Sequence, residues 1–179
     1  MSEVHFRSRR MRSFSIGDAA LSDIDGLVRL EEASFGSDRI SRRSFRWLIR
    51  SASAICRVAR AGDAIAGYAV VLTRDGGSVA RLYSIAADKP WQGIGLATTL
   101  IADAERAARD RGMTRLRLEV REDNSGAIRL YERLGFGRSG LRAEYYADKA
   151  NAIRYEKRLP ALWPPRAATA SRRNRQPAG

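Results

Sequence analysis

Residues 78–121, SVARLYSIAADKPWQGIGLATTLIADAERAARDRGMTRLRLEVR, decide the fold. Ser78 to Ala86 is a largely apolar run of strand length, and Asp88-Lys89-Pro90-Trp91 ends it. A helix is predicted from Gly95 to Arg111, closed by Gly112 as its C-terminal cap. Arg115 to Arg121 then alternates as a strand does. Leu116, Leu118 and Val120 point one way, and Arg117, Glu119 and Arg121 the other. Strand, helix and strand in this order make a parallel crossover.

Working upstream, Ser13 to Ile16 reads as a short strand. A helix follows over 22–33, with Leu21, Ile24, Leu27, Val28 and Leu30 apolar on one face. A second helix is expected over 41–51, with Phe45, Leu48 and Ile49 inward. Strands over 54–60 and 64–72 are separated by Gly62-Asp63, and Asp75-Gly76 turns the chain into strand 78–86. Downstream, a short helix over 125–134 is stopped by Gly135, and strands over 136–142 and 152–159 complete the order. The class expected is α+β: a mixed, mostly antiparallel central sheet flanked by helices, with one parallel crossover at its centre. One domain is expected over 13–159, between basic ends at 1–12 and 160–179 that lack apolar periodicity and read as disordered.

Composition excludes several classes. Apolar residues are 44% of the chain, too many for a disordered protein. The longest uninterrupted apolar run, near Tyr68 to Leu72, falls far short of the roughly 20 residues a membrane span needs. No apolar stretch follows the basic residues 1–12, so neither a span nor a secretory leader is expected. Cys56 is the one cysteine and cannot form an internal disulfide, which points to packing for stability and the cytoplasm for location. Of the net charge of +13, residues 1–12 carry +3 and 160–179 carry +4, which leaves the body moderately basic. Such ends suit a weak contact with RNA or a ribosome, and equally a solvated surface.

The chemistry is expected at the crossover. Gln92-Gly93-Ile94-Gly95-Leu96-Ala97 lies between a strand end and a helix start, where glycine lets backbone approach a ligand. Free N–H groups of the first helical turn and the helix dipole favour an anion such as a pyrophosphate. The stretch lacks the Lys-Ser/Thr of a nucleotide P-loop and the three spaced glycines of a dinucleotide fingerprint. A ligand-free strand-to-helix turn would look the same.

Further on stand Leu118-Glu119-Val120-Arg121, Asp123-Asn124-Ser125-Gly126-Ala127-Ile128 and Leu130-Tyr131-Glu132-Arg133-Leu134-Gly135-Phe136. With Gln92, Gly95 and Ala97 they make the chain resemble the GCN5-related N-acetyltransferase (GNAT) superfamily, most of all its ribosomal-protein-alanine N-acetyltransferase branch. The resemblance runs from about Phe14 to Leu159. It implies the GNAT (acyl-CoA N-acyltransferase) fold and transfer of acetyl from acetyl-CoA to a primary amine, with CoA as product and no metal. It places the CoA pyrophosphate on the backbone of Gln92, Gly93, Ile94, Gly95, Leu96 and Ala97. The pantetheine arm falls beside Ile85, Ala86 and Asn124. Glu119 matches the general base and Tyr131 the general acid, beside the cofactor. The acceptor wall would comprise Glu31, Phe35, Asp38 and Arg39, then Glu144, Tyr145 and Tyr146.

A protein or peptide N-terminus is the acceptor that the branch implies. At pH 7 an α-amine (pKa about 7.7–8.0) is neutral roughly 10% of the time, a lysine well under 0.1%. The segment 147–153 departs from the branch, with Asn151 where an acid is usual. A small-molecule amine (a polyamine, antibiotic or amino acid) is therefore an alternative acceptor. A non-catalytic acyl-CoA-binding module is a third reading. Each site residue also has a structural reading: Glu119 as a partner of Arg117 or Arg121, Tyr131 as core, Asn124 as a helix N-cap, and Cys56 as a buried strand residue.

Overall fold

The computed structural model describes residues 13–36 and 38–160. The N-terminal tail read over 1–12, the C-terminal one beyond Pro160 and the RNA contact inferred from them lie outside the described residues. One seven-stranded sheet runs through the rest, in the order β1-β2-β3-β4-β5-β7-β6. Its strands are β1 Ser15–Asp18, β2 Ala54–Ala61, β3 Ala64–Leu72, β4 Val79–Ala87, β5 Arg115–Arg121, β6 Gly137–Arg142 and β7 Ala152–Arg158. Only β4 and β5 pair in parallel, joined by the crossover helix; every other pair is antiparallel. The mixed sheet and its single parallel crossover are the architecture expected.

Helices α1 (Ile24–Ser34) and α2 (Arg42–Arg50) cover one face of the sheet, α3 (Leu96–Asp110) and α4 (Ser125–Arg133) the other. The first core joins Leu27, Phe45, Leu48, Tyr68 and Val70; the second joins Leu82, Leu96, Leu100, Leu116 and Leu118. Local signals set the ends. Ser41 caps α2 by accepting from Ser44 N at 3.1 Å, and Asn124 caps α4 by accepting from Ala127 N at 3.1 Å. Among the described residues no helix is long and apolar enough to cross a membrane.

Element ends fall within two residues of expectation. The largest difference is at the start. The first strand lies two residues further along, and Leu21 stands 43% exposed in a 3-10 turn rather than on the apolar face of α1. Asp23 is the cause: its carboxylate accepts from Ala20 N at 2.6 Å and pairs with Arg60 at 2.5 Å, closing a turn before the helix begins.

Two irregularities shape the middle of the sheet. β4 pairs with β5 only from Val79↔Arg115 to Leu82↔Leu118, after which the strands part. Against β3, Val70 faces Ser84 while Val71 faces Leu82, so Tyr83 is an extra, bulged residue. The bulge reverses the facing of the β4 residues beyond it. Ala80 and Leu82 belong to the α3 core, whereas Ala86 belongs to the α1–α2 core.

Candidate active site

The parting of β4 from β5 opens a cavity of about 760 Å³ that reaches both helical layers. That volume is within the range of small-molecule sites. Ile85 and Ala86 line it from the free edge of β4, Glu119 from β5, Asn124 and Tyr131 from the start and body of α4, and Tyr145 and Tyr146 from the β6–β7 loop. An adjoining cleft of about 390 Å³ continues past Ala87, Lys89 and Gln92 towards the start of α3. Residues scattered over 31–148 thus meet at one opening.

The segment at the start of α3 has the features of an anion cradle. Gly93 and Gly95 take φ of +74° and +90°, and a Cβ on either would meet no atom within 4 Å among the described residues beyond its chain neighbours. The first turn of α3 has no acidic side chain. From Gly93 to Thr98 the backbone N–H groups take no partner among the described residues, and Thr99 N is the first to bond, to Gly95 O. Gln92 fixes the loop by donating its amide to Ala87 O at 2.9 Å. Leu96 is buried as a core side chain, so only its backbone faces the ligand side. Ile94 is exposed, and Ala97 lines the main cavity. The predicted cradle residues are therefore together, with open space and unpaired donors that fit a phosphate group.

Glu119 and Tyr131 share the cavity but differ in surroundings. The Glu119 side chain is 4% exposed, and Arg81 donates to its Oε2 at 2.8 Å. Arg154 and Arg142 stand 3.6 Å and 3.9 Å from its Oε1, which takes no hydrogen bond from the described residues. The partners are thus on β4, β6 and β7, rather than Arg117 or Arg121 of its own strand. Those two pair with Glu156 and with Asp123 and Asp148. The ring of Tyr131 is buried edge-on against Phe136 at 5.8 Å. Its hydroxyl takes no hydrogen-bond partner among the described residues, and burial, with Tyr146 nearby, pushes its pKa up to about 12. Asn124 holds both positions read for it, capping α4 and lining the cavity.

The acceptor wall is more basic than its sequence suggests. Tyr145 and Tyr146 meet edge-on at 5.1 Å, and each carries a guanidinium: Arg142 over Tyr145 at 5.6 Å and Arg121 over Tyr146 at 4.9 Å. Arg81 also donates to Tyr145 Oη at 2.5 Å. Phe35 is half-buried on the wall and Asp38 exposed there. Glu31 is different. It is 1% exposed, with Oε1 accepting from Ile40 N at 2.8 Å and Oε2 accepting from the Tyr68 hydroxyl, so both oxygens bond inward. Burial raises its pKa.

Sequence reading missed Arg81, Arg142 and Arg154. They lie on three strands and reach Glu119 only through sheet pairing, which no sequence spacing encodes. Tyr68 and Ser84 were missed too, because Ser84 turns toward Tyr68 only through the bulge at Tyr83.

Comparison with known proteins agrees with this geometry. The model of the acetyltransferase (GNAT) family matches residues 24–136. A Bacillus subtilis (strain 168) protein, named as a candidate [ribosomal protein bS18]-alanine N-acetyltransferase, is 29% identical over 135 residues, 75% of this chain and 87% of its own length. The [ribosomal protein bS18]-alanine N-acetyltransferase of Escherichia coli (strain K12) is 42% identical over 67 residues, 37% of this chain and 45% of the enzyme. The crystal structure of the Escherichia coli ribosomal-protein-S18-alanine N-acetyltransferase superposes with a TM-score of 0.73 at 25% identity, covering 82% of this chain and 94% of that one. The chain belongs to the GNAT family of acetyltransferases.

Proposed function

We propose that this GNAT acetyltransferase moves an acetyl group from acetyl-CoA to the N-terminal α-amine of a protein or peptide, by direct attack within the β4–β5 cleft. The observation that carries this reading is the convergence of Glu119 Oε1, the unpartnered Tyr131 hydroxyl and the free edge of β4 on one cavity. The backbone from Gly93 to Thr98 would hold the CoA pyrophosphate, and the edge of β4 at Ile85 and Ala86 the pantetheine arm, with Asn124 opposite. Bound acetyl-CoA supplies an activated thioester.

Within that frame the chain's own groups have distinct tasks. Glu119 Oε1, the oxygen Arg81 leaves free, takes the proton that the amine nitrogen sheds as it attacks. Arg81 and Arg154 hold that carboxylate in place. Backbone N–H groups on the unpaired edge of β4 stabilise the carbonyl oxygen. Tyr131, neutral at pH 7, presents its proton to the departing sulfur. Its pKa of about 12 exceeds the roughly 8.5 of a thiol, so a hydrogen bond to the developing thiolate carries the stabilisation rather than a completed transfer.

A peptide acceptor is supported by the names of the relatives and by the larger neutral fraction of an α-amine at pH 7. A cytoplasmic setting suits a chain whose one cysteine can form no internal disulfide. The test is acetyl incorporation, read by mass spectrometry, over peptides with varied N-termini beside a panel of polyamines, amino acids and aminoglycosides. Acetylated peptide α-amines are expected. Turnover of a small amine with none on any peptide would overturn the assignment of the acceptor.

A further inference from the structure

We infer that a second proton path leaves the cavity through β4: Ser84 at the wall, Tyr68 behind it on β3, and Glu31 on α1, which borders the cavity with both carboxylate oxygens bonded to Ile40 N and Tyr68. By this path the acceptor's ammonium loses its first proton. The inference rests on the acetyl-transfer reading above and supplies what that reading leaves unassigned. An ammonium must shed two protons to become an amide, and the thiolate held by the Tyr131 hydroxyl takes its own proton from solvent as CoA leaves. Glu119 takes the proton released as the C–N bond forms. The earlier proton, which keeps the nitrogen lone pair from attacking, still needs an acceptor.

The contacts form a continuous chain. Ser84 Oγ lies 2.7 Å from Tyr68 Oη, and the Tyr68 hydroxyl donates to Glu31 Oε2. Because Tyr68 gives its hydrogen to Glu31, its oxygen is left to accept that of Ser84. A lone pair of Ser84 is then free to receive a proton from the cavity. The ammonium N–H bond breaks toward Ser84 Oγ, the Ser84 hydrogen moves to Tyr68, and the Tyr68 hydrogen moves to Glu31. Both hydroxyls are re-formed, Glu31 ends as the carboxylic acid, and the amine is neutral. Reversal of the same transfers returns the proton to solvent after product leaves.

The surroundings suit a proton sink. Glu31 Oε1 is already used by Ile40 N at 2.8 Å, so one oxygen holds the segment before α2 while the other serves the path. Burial raises the carboxyl's affinity for a proton, and Tyr68 and Ile40, which bond the charged form, and the Arg39 guanidinium partly oppose this. Phe45 of α2 closes Tyr68 off edge-on at 5.6 Å, and the Tyr83 phenol is the other titratable group near it. The bulge at Tyr83 gives the path its entrance, since unbroken alternation would put Ser84 on the same face as Leu82.

The test is the pH dependence of kcat/KM on a peptide acceptor for the full chain and for Ser84→Ala, Tyr68→Phe and Glu119→Gln. At pH 6.5 the acceptor arrives as ammonium, and Ser84→Ala and Tyr68→Phe should each lose roughly tenfold or more. By about pH 9 the α-amine (pKa about 7.7–8.0) arrives neutral, and the two variants should converge on the parent chain. Glu119→Gln should stay impaired throughout. A deficit equal at all pH values would mark a structural role only and overturn the path, as would no deficit at pH 6.5. Independently of activity, the Glu31 carboxyl ¹³C resonance should titrate at higher pH in Tyr68→Phe, because the lost hydrogen bond favours the charged form. An unmoved resonance would show that the contact is absent in solution. A parent chain that acetylates no amine would overturn the functional reading and the path with it, and the ¹³C titration would still report on the contact.

Discussion

At the residue scale, Tyr131 can hydrogen-bond the departing sulfur only while its phenol is protonated, and its burial favours this. Tyr131→Phe keeps the ring against Phe136 and removes only the hydroxyl. Turnover should therefore fall on the order of a hundredfold while acetyl-CoA affinity stays within about twofold, read by thiol release and by calorimetry. Unchanged turnover would remove Tyr131 from the chemistry. Glu31 allows a prediction of stability. Its pKa is raised above the ordinary 4.5 in the folded state, so the folded chain binds this proton more tightly than the unfolded one. The resulting stabilisation is full below pH 4.5 and is lost as pH rises through the raised value. Glu31→Gln keeps an oxygen for Ile40 N and cannot titrate. Its unfolding free energy relative to the parent should therefore improve in urea titrations as pH is raised from 4.5 through the raised value, and stay constant above it. Asp123, Asp148 and Glu156, all held low by arginines or backbone amides, have the opposite slope and cancel in the comparison. A difference independent of pH would mean that Glu31 is not perturbed. Cys56 is half-buried with its thiol pushed up to about 11, which agrees with an inert strand residue rather than an acetyl carrier.

At the element scale, the site depends on how closely α3 seats against β3 and β4. Gly67 sets that distance. A Cβ there would stand 2.9 Å from Ala86 O, 2.9 Å from Leu100 Cδ1 and 3.0 Å from Leu96 Cδ2. One of these neighbours is the backbone of β4 beside the cavity, which cannot swing aside as a side chain can. Gly67→Ala should cost about 1–3 kcal/mol by overpacking. The urea midpoint should fall at constant slope, and acetyl-CoA binding should weaken because Leu96 starts the helix of the cradle. Retained stability and affinity would show that α3 can shift freely. The elements themselves were largely legible. Alternation in Arg115 to Arg121 gave β5, and Gly95 and Gly112 bracketed α3. What sequence did not disclose depends on pairing between distant segments. No local pattern in β4 announces that Tyr83 is bulged, because the extra residue exists only relative to Val70 and Val71 of β3. The arginine surroundings of Glu119 are hidden for the same reason. Arg154 lies opposite it on β7 and Arg81 reaches across from β4, contacts that only the assembled sheet creates.

At the scale of the whole molecule, a net charge of +13 complicates any binding assay with a phosphorylated ligand. Acetyl-CoA should raise the melting temperature. At about 100 times its dissociation constant it adds roughly 2.7 kcal/mol, equivalent to about 5–10 °C for a domain of this size. A strongly basic chain, however, is stabilised to some degree by any polyanion, through screening of its own repulsion. The two causes differ in what they require. The turn from Gly93 to Thr98 offers unpaired backbone donors, and on the proposed reading the β4–β5 cleft beyond it would take an uncharged arm, so binding there would need both parts of the ligand. Diffuse attraction needs only charge and weakens as salt rises. CoA and acetyl-CoA should therefore raise the melting temperature by similar amounts, with most of the rise kept at about 0.5 M salt, where diffuse attraction is largely screened. Inorganic tripolyphosphate at the same ionic strength should give little. A rise that tripolyphosphate matches, or one abolished by salt, would assign the effect to net charge and remove the cofactor site from the cleft.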